Sequence, residues 1–217
     1  MFLNIKLFLV ALTITSLTLA QETETSTETT AETRDTKDGG KNIGSIVIGP
    51  YIPFAFGDNF VNEGMDLKMG ARIAFKVNAY KGIYIGPYFS FFNADVTNKN
   101  LLGNYDNTTN TVIGAIAGYE THISKFDLSL GIGVGAATYH NDGYYDNFSD
   151  TATAVWLNPE VGYRITPYLG LYFAPELRHD FMNIDAPAEL GNTFEGVNYL
   201  NLSFGLRINL GTAYKYL

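Results

Sequence analysis

Apolar and polar side chains alternate strictly along residues 199–210, which read YLNLSFGLRINL. From Leu200 to Leu210 every even position carries leucine, isoleucine or phenylalanine, and Arg207 lies among the polar odd positions. A period of two over this length predicts a β-strand with one apolar and one polar face. The pattern leaves two orientations open, because the leucines point either into a water-soluble core or outward into lipid.

Comparable alternation recurs along most of the chain. It is found at residues 43–56, 66–77, 83–92, 110–120, 126–139, 151–165, 169–180 and 198–210. Each segment has about ten residues or more, which is the length that a tilted membrane-spanning strand needs. Strands of ordinary globular proteins average only about 5–6 residues. Strand length therefore favours a sheet that crosses a membrane.

The connections between these segments alternate between long and short. The long ones, around 57–65, 93–109, 140–150 and 181–197, are polar, whereas those at 78–82, 121–125 and 166–168 are short. Outer-membrane barrels combine tight periplasmic turns with longer external loops. The sequence thus predicts an all-β fold, an eight-stranded antiparallel up-and-down transmembrane β-barrel.

Glycine and proline have specific places in this pattern. Gly131, Gly133 and Gly135 share the polar face of one segment. Glycine on a water-facing strand only weakens it, whereas in a narrow barrel interior small residues make room for large ones. The polar face is therefore predicted to point inward. Proline lacks a ladder donor, so bulges or missing hydrogen bonds are expected at four positions, namely Pro50, Pro87, Pro159 and Pro175.

Charged residues occupy the same polar face. Lys68, Lys76 and Arg164 lie there, and so does a predicted ion-pair network in the lumen made of Arg72, Glu160, Glu176, Arg178 and Arg207. Charges that are removed from water need opposite charges as partners. The alternative is a set of separate, solvated surface charges.

Aromatic residues are concentrated at both ends of the segments, as expected where a barrel crosses two membrane interfaces. The set at the short-turn end consists of Tyr80, Tyr119, Phe126, Tyr163 and Tyr168. The set at the long-loop end consists of Phe54, Phe56, Phe91, Phe92, Phe181 and Tyr199.

The N-terminal residues do not share the strand pattern. Residues 1–20 combine Lys6, an apolar run of about 14 residues and a final Ala20, which predicts a cleaved secretory signal peptide rather than a spanning helix. Residues 21–41 are rich in Thr and Glu and are predicted to be a disordered acidic spacer. Residues 42–217 then form the barrel. The net charge of −8 argues against a nucleic-acid partner.

With these features the chain resembles the small outer-membrane β-barrel proteins of the OmpX/OmpA-like superfamily, over roughly residues 42–210. The resemblance implies a monomer in the cell outer membrane, placed there by the barrel insertion machinery. It also implies contacts with outer-membrane lipid and lipopolysaccharide, and external loops that meet an unnamed partner. Such families usually end in an aromatic residue, whereas here GTAYKYL follows Leu210. The last strand therefore either ends near Leu210 or continues to Leu217.

The expected function is a structural or surface-interacting role, with a lumen filled by polar and charged side chains and little or no pore activity. No catalytic residue, cofactor site or metal site is predicted. Asp142, Asp146 and Asp150 share one loop, but their spacing does not match an EF-hand. The acidic loops nevertheless suggest that divalent cations bridge them to lipopolysaccharide.

Two other functions remain open at this point. One is a soluble periplasmic barrel that binds an apolar ligand, with the leucines inward. The other is a lipid-modifying outer-membrane enzyme, in which His179 with Asp180 or His140 with Asp142 would form a rim dyad.

Overall fold

The computed structural model of the chain describes residues 42–143, 147–182 and 191–211. The predicted signal peptide and acidic spacer lie outside these residues, and so does the chain beyond Gly211. The described part consists mainly of β-strands connected by turns and very short helices.

Nine strands follow one another along the chain. They are β1 (Asn42–Phe56), β2 (Met65–Leu67), β3 (Gly70–Tyr80), β4 (Ile83–Val96), β5 (Tyr105–Ile123), β6 (Phe126–Gly143), β7 (Asn147–Arg164), β8 (Leu169–Met182) and β9 (Gly196–Gly211). Three short helices interrupt them, namely α1 (Phe60–Gly64), α2 (Lys99–Leu102) and α3 (Gly191–Phe194). None of the helices in this part of the chain is long and apolar enough to span a membrane.

Eight of the strands close into an antiparallel barrel. Each strand from β3 to β8 pairs with the next strand in sequence, and β1 closes the ring between β9 and β3. The three-residue β2 pairs only with the far end of β4. The predicted fold class, an eight-stranded antiparallel barrel with up-and-down order, is confirmed.

The strands are tilted, as closure requires. Paired residues can be followed once around the barrel from Gly44 on β1, through Val77, and back to Phe54 on the same strand. The path returns ten residues further along β1, from Gly44 to Phe54. A stagger of this kind fixes both the tilt of the strands and the width of the interior.

Two of the predicted long loops are in fact mostly strand. β4 extends to Val96 and β5 begins at Tyr105, while β6 and β7 remain paired as far as Asp142 and Asn147. These segments contain asparagine, threonine and aspartate, a composition that indicates loops when position in the barrel is unknown. The connection at 93–109 is therefore shorter than predicted but still long, from 97 to 104, whereas at 140–150 the prediction of a long connection was wrong.

The orientation of β9 answers the question raised by its sequence. Leu206 is 46% exposed on the outside of the barrel, whereas Arg207 is fully buried inside. Leu200, Phe204 and Ile208 share the outward face with Leu206. The alternative of a soluble barrel with its leucines inward is contradicted by this arrangement.

The prolines coincide with interruptions of the hydrogen-bond ladders. Pro159 and Pro175 lie in the gap between the pairs Leu157–Leu177 and Val161–Phe173 of β7 and β8. Pro50 and Pro87 lie at similar gaps between β1 and β9 and between β3 and β4. The register continues unchanged across all three gaps, so of the two predicted alternatives the prolines cause missing hydrogen bonds and no bulge.

The inward glycines make room for large rings. A Cβ atom on Gly133 would lie 1.9 Å from the indole of Trp156, and one on Gly131 would lie 2.4 Å from the hydroxyl of Tyr84. Gly114 and Gly118 on β5 lie beside the same two rings. Crowding of a narrow interior, and not flexibility, therefore explains the glycines of β5 and β6.

The aromatic residues at the short-turn end are all exposed, as predicted. At the other end Phe54, Phe56 and Phe181 are exposed, but Phe92 and Tyr199 are buried inside the barrel. The period of two explains this error, because Phe91 and Phe92 are adjacent and Tyr199 has the parity of Arg207. The second aromatic set is therefore smaller than predicted.

Candidate functional site

The barrel interior contains as many buried cations as buried anions among the residues that the structure describes. The five cations are Arg72, Lys76, Arg164, Arg178 and Arg207, and the five anions are Glu120, Asp127, Glu160, Glu176 and Asp180. They project from several strands of the barrel, because each strand directs every second side chain inward. The interior is thus charged but formally neutral.

Arg207 lies at the centre of the largest group. Its guanidinium contacts Glu160 at 2.8 Å and Glu120 at 2.7 Å, and it approaches Asp127 at 3.4 Å. The Lys76 ammonium donates a second short contact of 2.8 Å to Glu160. Four strands are therefore joined to β9 through one arginine side chain or its direct partner.

Arg164 and Arg72 extend this group in two directions. Arg164 binds Asp127 at 2.7 Å, close to the turn between β5 and β6. Arg72 donates a 2.7 Å hydrogen bond to the Asn158 side chain and lies 3.7 Å from Glu160. Hydrogen bonds and opposite charges thus offset part of the cost of burial, although Nε and Nη1 of Arg72 have no hydrogen-bond partner among the described residues.

Glu176 is held by neutral donors. Its two carboxylate oxygens accept hydrogen bonds from the hydroxyls of Tyr51 at 2.6 Å and Tyr88 at 2.8 Å. The Asn201 amide donates a third, at 3.1 Å. No cation of the described part of the chain lies within 4.0 Å of Glu176.

Arg178 belongs to a separate group nearer the extended ends of β5 to β7. It binds Asp180 at 2.7 Å and the Asn110 side chain at 2.8 Å, and its guanidinium lies 4.5 Å from the centre of the Tyr199 ring. Tyr139 donates a hydrogen bond to the same carboxylate.

The structure thus brings three of the five predicted network residues together, namely Arg72, Glu160 and Arg207. Glu176 and Arg178 are equally buried but lie in two other hydrogen-bonded groups. Sequence reasoning missed Glu120, Asp127 and Asp180 as partners, although each has inward parity on its strand. That parity was the signal that could have identified them.

Lys68 was wrongly assigned to the inward face. It is exposed and binds Asp66 and Asp95, and its hydrogen bonds to these carboxylates raise the pKa of the ammonium group. The reason for the error is a break in the strand, since β2 ends at Leu67 and β3 begins only at Gly70.

Of the two predicted histidine–aspartate dyads at the rim, the structure brings only one pair together. His179 faces outward while Asp180 faces inward, so these neighbours cannot act together. His140 and Asp142 do share the outward face, with 3.3 Å between Nε2 and Oδ1. The hydroxyl of Ser149, on β7, lies 2.8 Å from the other ring nitrogen of His140. Ser149 was not singled out from the sequence, because pairing of β6 with β7 was not expected there.

The acidic loop contains no metal site in its described residues. In residues 42–143, 147–182 and 191–211, no group of three or more His, Asp or Glu side chains is arranged to hold an ion. Asp146 lies outside these residues, and the carboxylate of Asp150 accepts a 3.3 Å hydrogen bond from Asn141.

Removal of Arg207 tests the importance of the central group. Arg207→Met leaves Glu120 and Glu160 with fewer partners in the interior, so we expect a loss of about 3–5 kcal/mol in the free energy of unfolding. Lys68→Met removes an exposed ion pair that water screens, so the free energy of unfolding is expected to stay close to the wild-type value. Urea unfolding in detergent micelles, followed by the fluorescence of the single tryptophan Trp156, measures both values. Equal losses in the two variants would contradict a central role for Arg207.

Comparison with known proteins bears on the fold alone. No protein-family model matches the chain, and no curated protein sequence is significantly similar to it. Among solved structures it is similar to Neisserial surface protein A, with a TM-score of 0.54, 14% identity, and coverage of 77% of this chain and 97% of that one.

Two further structures show a comparable similarity. A major outer membrane protein from Thermus thermophilus aligns with a TM-score of 0.52 and 14% identity, covering 77% of this chain and 98% of that one. OprG from Pseudomonas aeruginosa aligns with a TM-score of 0.50 and 13% identity, covering 79% of this chain and 98% of that one. The chain therefore has the fold of the small eight-stranded outer-membrane β-barrels.

Proposed function

We propose that this protein is an integral barrel of the bacterial outer membrane, with a closed lumen and a surface-interacting role. The observation that carries the proposal is the inversion of the usual burial pattern. Leucine, isoleucine, valine and phenylalanine side chains cover the outside, while ten charged side chains are buried inside. A continuous apolar surface of this size is unfavourable in water and favourable in hydrocarbon.

The filled interior supports the closed state. Its largest fully buried side chains include Trp156, Arg72, Arg207, Tyr84 and Tyr88. Several of them bridge opposite walls, as Arg207 of β9 does with Glu120 of β5. Eight-stranded barrels are just wide enough for side chains to fill the interior.

The surface role rests on the uneven height of the wall. β5, β6 and β7 extend beyond the last pair of β7 with β8, Ala152–Met182. The outward side chains of this extension are polar and form cross-strand rows, Thr111–Thr138–Thr151 and then Thr109–His140–Ser149. A polar wall above an apolar band suits contact with lipopolysaccharide sugars and with a partner outside the cell.

Export through a signal peptide, a monomeric state and assembly by the barrel insertion machinery belong to the same proposal.

Single cysteines on β9 test the membrane location, and the chain has no native cysteine to interfere. In vesicles we expect Phe204→Cys to be modified by a lipid-soluble maleimide, because Phe204 faces outward. Ser203→Cys should resist that reagent, because Ser203 is buried against Tyr172. Modification of Phe204→Cys by a membrane-impermeant maleimide alone would contradict the proposal.

Conductance tests the closed lumen. In planar bilayers the wild-type protein is expected to give no stable channel of porin size, since inward side chains occupy the cross-section. A gel shift between unboiled and boiled samples of the same preparation shows that the protein added to the bilayer is folded. Steady, ohmic openings by the folded protein would overturn the closed state while leaving the barrel itself intact.

A second function, hydrolysis of acyl esters, is favoured by the line of Ser149, His140 and Asp142. Nucleophile, base and orienting carboxylate are the parts of a serine hydrolase. In the reaction Ser149 Oγ would attack the ester carbonyl carbon as its proton passes to His140, which then protonates the departing alcohol. Water next cleaves the acyl-serine bond, which releases the carboxylic acid and restores the hydroxyl. Because the three side chains face outward above the apolar band, lipid esters of the outer leaflet are the substrate class.

A fluorophosphonate probe and fatty-acid release from diacyl phosphatidylethanolamine vesicles test this second function. A hydrolase is expected to show labelling and turnover that fall at least about 100-fold in Ser149→Ala. Thr151→Ala, which alters the next outward hydroxyl of β7, is the matched control and should keep both. Absence of labelling in the folded wild-type protein would contradict the hydrolase function, and only the surface-interacting role would remain.

A further inference from the structure

A groove of about 400 Å³ lies against the outside of the barrel, across β6, β7, β8, β9 and β1. Apolar side chains form most of its outward wall, among them Ile132, Leu157, Leu177, Phe56 and Phe181. Two polar side chains of the outward face also line it, His179 and Asn198. The groove therefore combines a long apolar surface with one polar spot.

His179 lies within the apolar band and not above it. Along β8 its outward neighbours are Leu177 and Phe181, both about half exposed. Its cross-strand neighbours are Val155 on β7 and Asn198 on β9. An ionisable side chain on a surface that faces hydrocarbon is costly unless it has a partner, and such residues mark functional sites.

The imidazole is held in one orientation. Its Nδ1 atom lies 2.8 Å from the Asn198 side-chain oxygen, and its ring packs edge-on against Phe181 with 4.2 Å between centroids. The hydrogen bond to Asn198 requires that Nδ1 carry the proton, which leaves Nε2 for a second partner. The histidine is therefore positioned rather than loosely solvated.

Glycines lie beside the second ring nitrogen of His179 and beside the amide nitrogen of Asn198. A Cβ atom on Gly196 would lie 3.0 Å from His179 Nε2, and one on Gly57 would lie 3.8 Å from the Asn198 amide nitrogen. Any larger residue at Gly196 would crowd the ring nitrogen. The imidazole Nε2 and the Asn198 amide nitrogen thus lie beside glycines, and both residues line the apolar groove.

We propose that this groove binds one phosphate-bearing lipid of the outer leaflet. The His179 imidazole and the Asn198 amide hold the phosphate by hydrogen bonds, and an acyl chain lies along Leu177, Leu157 and Ile132 toward the periplasmic end. The groove opens on the face that meets the bilayer, so a hydrocarbon chain is the expected occupant of its apolar part. The nitrogen atoms of His179 and Asn198 favour a lipid that carries an anionic hydrogen-bond acceptor. The inference rests on the membrane location proposed above.

Native mass spectrometry of the folded barrel in detergent tests the proposal. The probes are dioleoyl phosphatidic acid and dioleoyl glycerol, which share their acyl chains and differ in the phosphate. We expect the wild-type protein to retain one molecule of phosphatidic acid at least tenfold more strongly than the diacylglycerol. Addition of inorganic phosphate in excess should not displace it, because the acyl chain contributes to binding.

The variants assign the preference to this groove. His179→Leu with Asn198→Leu should reduce the ratio to near one. Asn93→Leu removes an outward amide on β4, on the opposite side of the ring, and should keep the wild-type ratio.

The outcomes separate this inference from the membrane location itself. Equal retention of the two lipids by the wild-type barrel, or a ratio that survives the double substitution, would overturn the lipid site. If the cysteine probes on β9 still report contact with lipid in that case, the membrane location stands without it. A folded chain that stays soluble without detergent and carries no lipid would contradict both the lipid site and the membrane location.

Discussion

The physical constraint on which this structure depends is that one thin sheet separates two environments. Every strand directs alternate side chains outward and inward, so the outside becomes apolar only if the inside receives the polar residues. In a barrel with a stagger of ten residues the interior is too narrow to keep those residues in bulk water. The charges must then neutralise one another, and the equal numbers of buried cations and anions in the described residues meet that requirement.

The central arginine shows how the constraint distributes stability. Arg207 comes from the last strand, yet its partners Glu120 and Glu160 come from β5 and β7. These contacts join residues distant in sequence, so they form only when the ring is nearly complete. Burial of the separate partners would be costly, and closure of the barrel is thereby coupled to pairing of the charges.

Much of the fold followed from periodicity, and much of the interior did not. The alternation in residues 199–210 was enough to identify a strand, and eight such segments identified the barrel. Which anion meets which cation depends on tilt and register, and these arise from closure. Glu176 illustrates the limit, because its partners are tyrosines from β1 and β4 and not the predicted cations. The prediction that Lys68 faces inward was wrong because the strand is interrupted for two residues between β2 and β3. Ser149 was not identified because a strand rich in polar residues resembles a loop in sequence.

The facing prolines of β7 and β8 carry a consequence for the mechanics of the wall. Pro159 and Pro175 interrupt the ladder over three residue pairs, and the Asn158 side chain spans the interruption with a 3.2 Å hydrogen bond to the Pro175 carbonyl. The seam between these two strands is thus firmly joined above and below a short, compliant stretch. Glu160 and Glu176 belong to that stretch and point inward from it, so a local opening of the ladder would move two buried carboxylates relative to the partners that hold them.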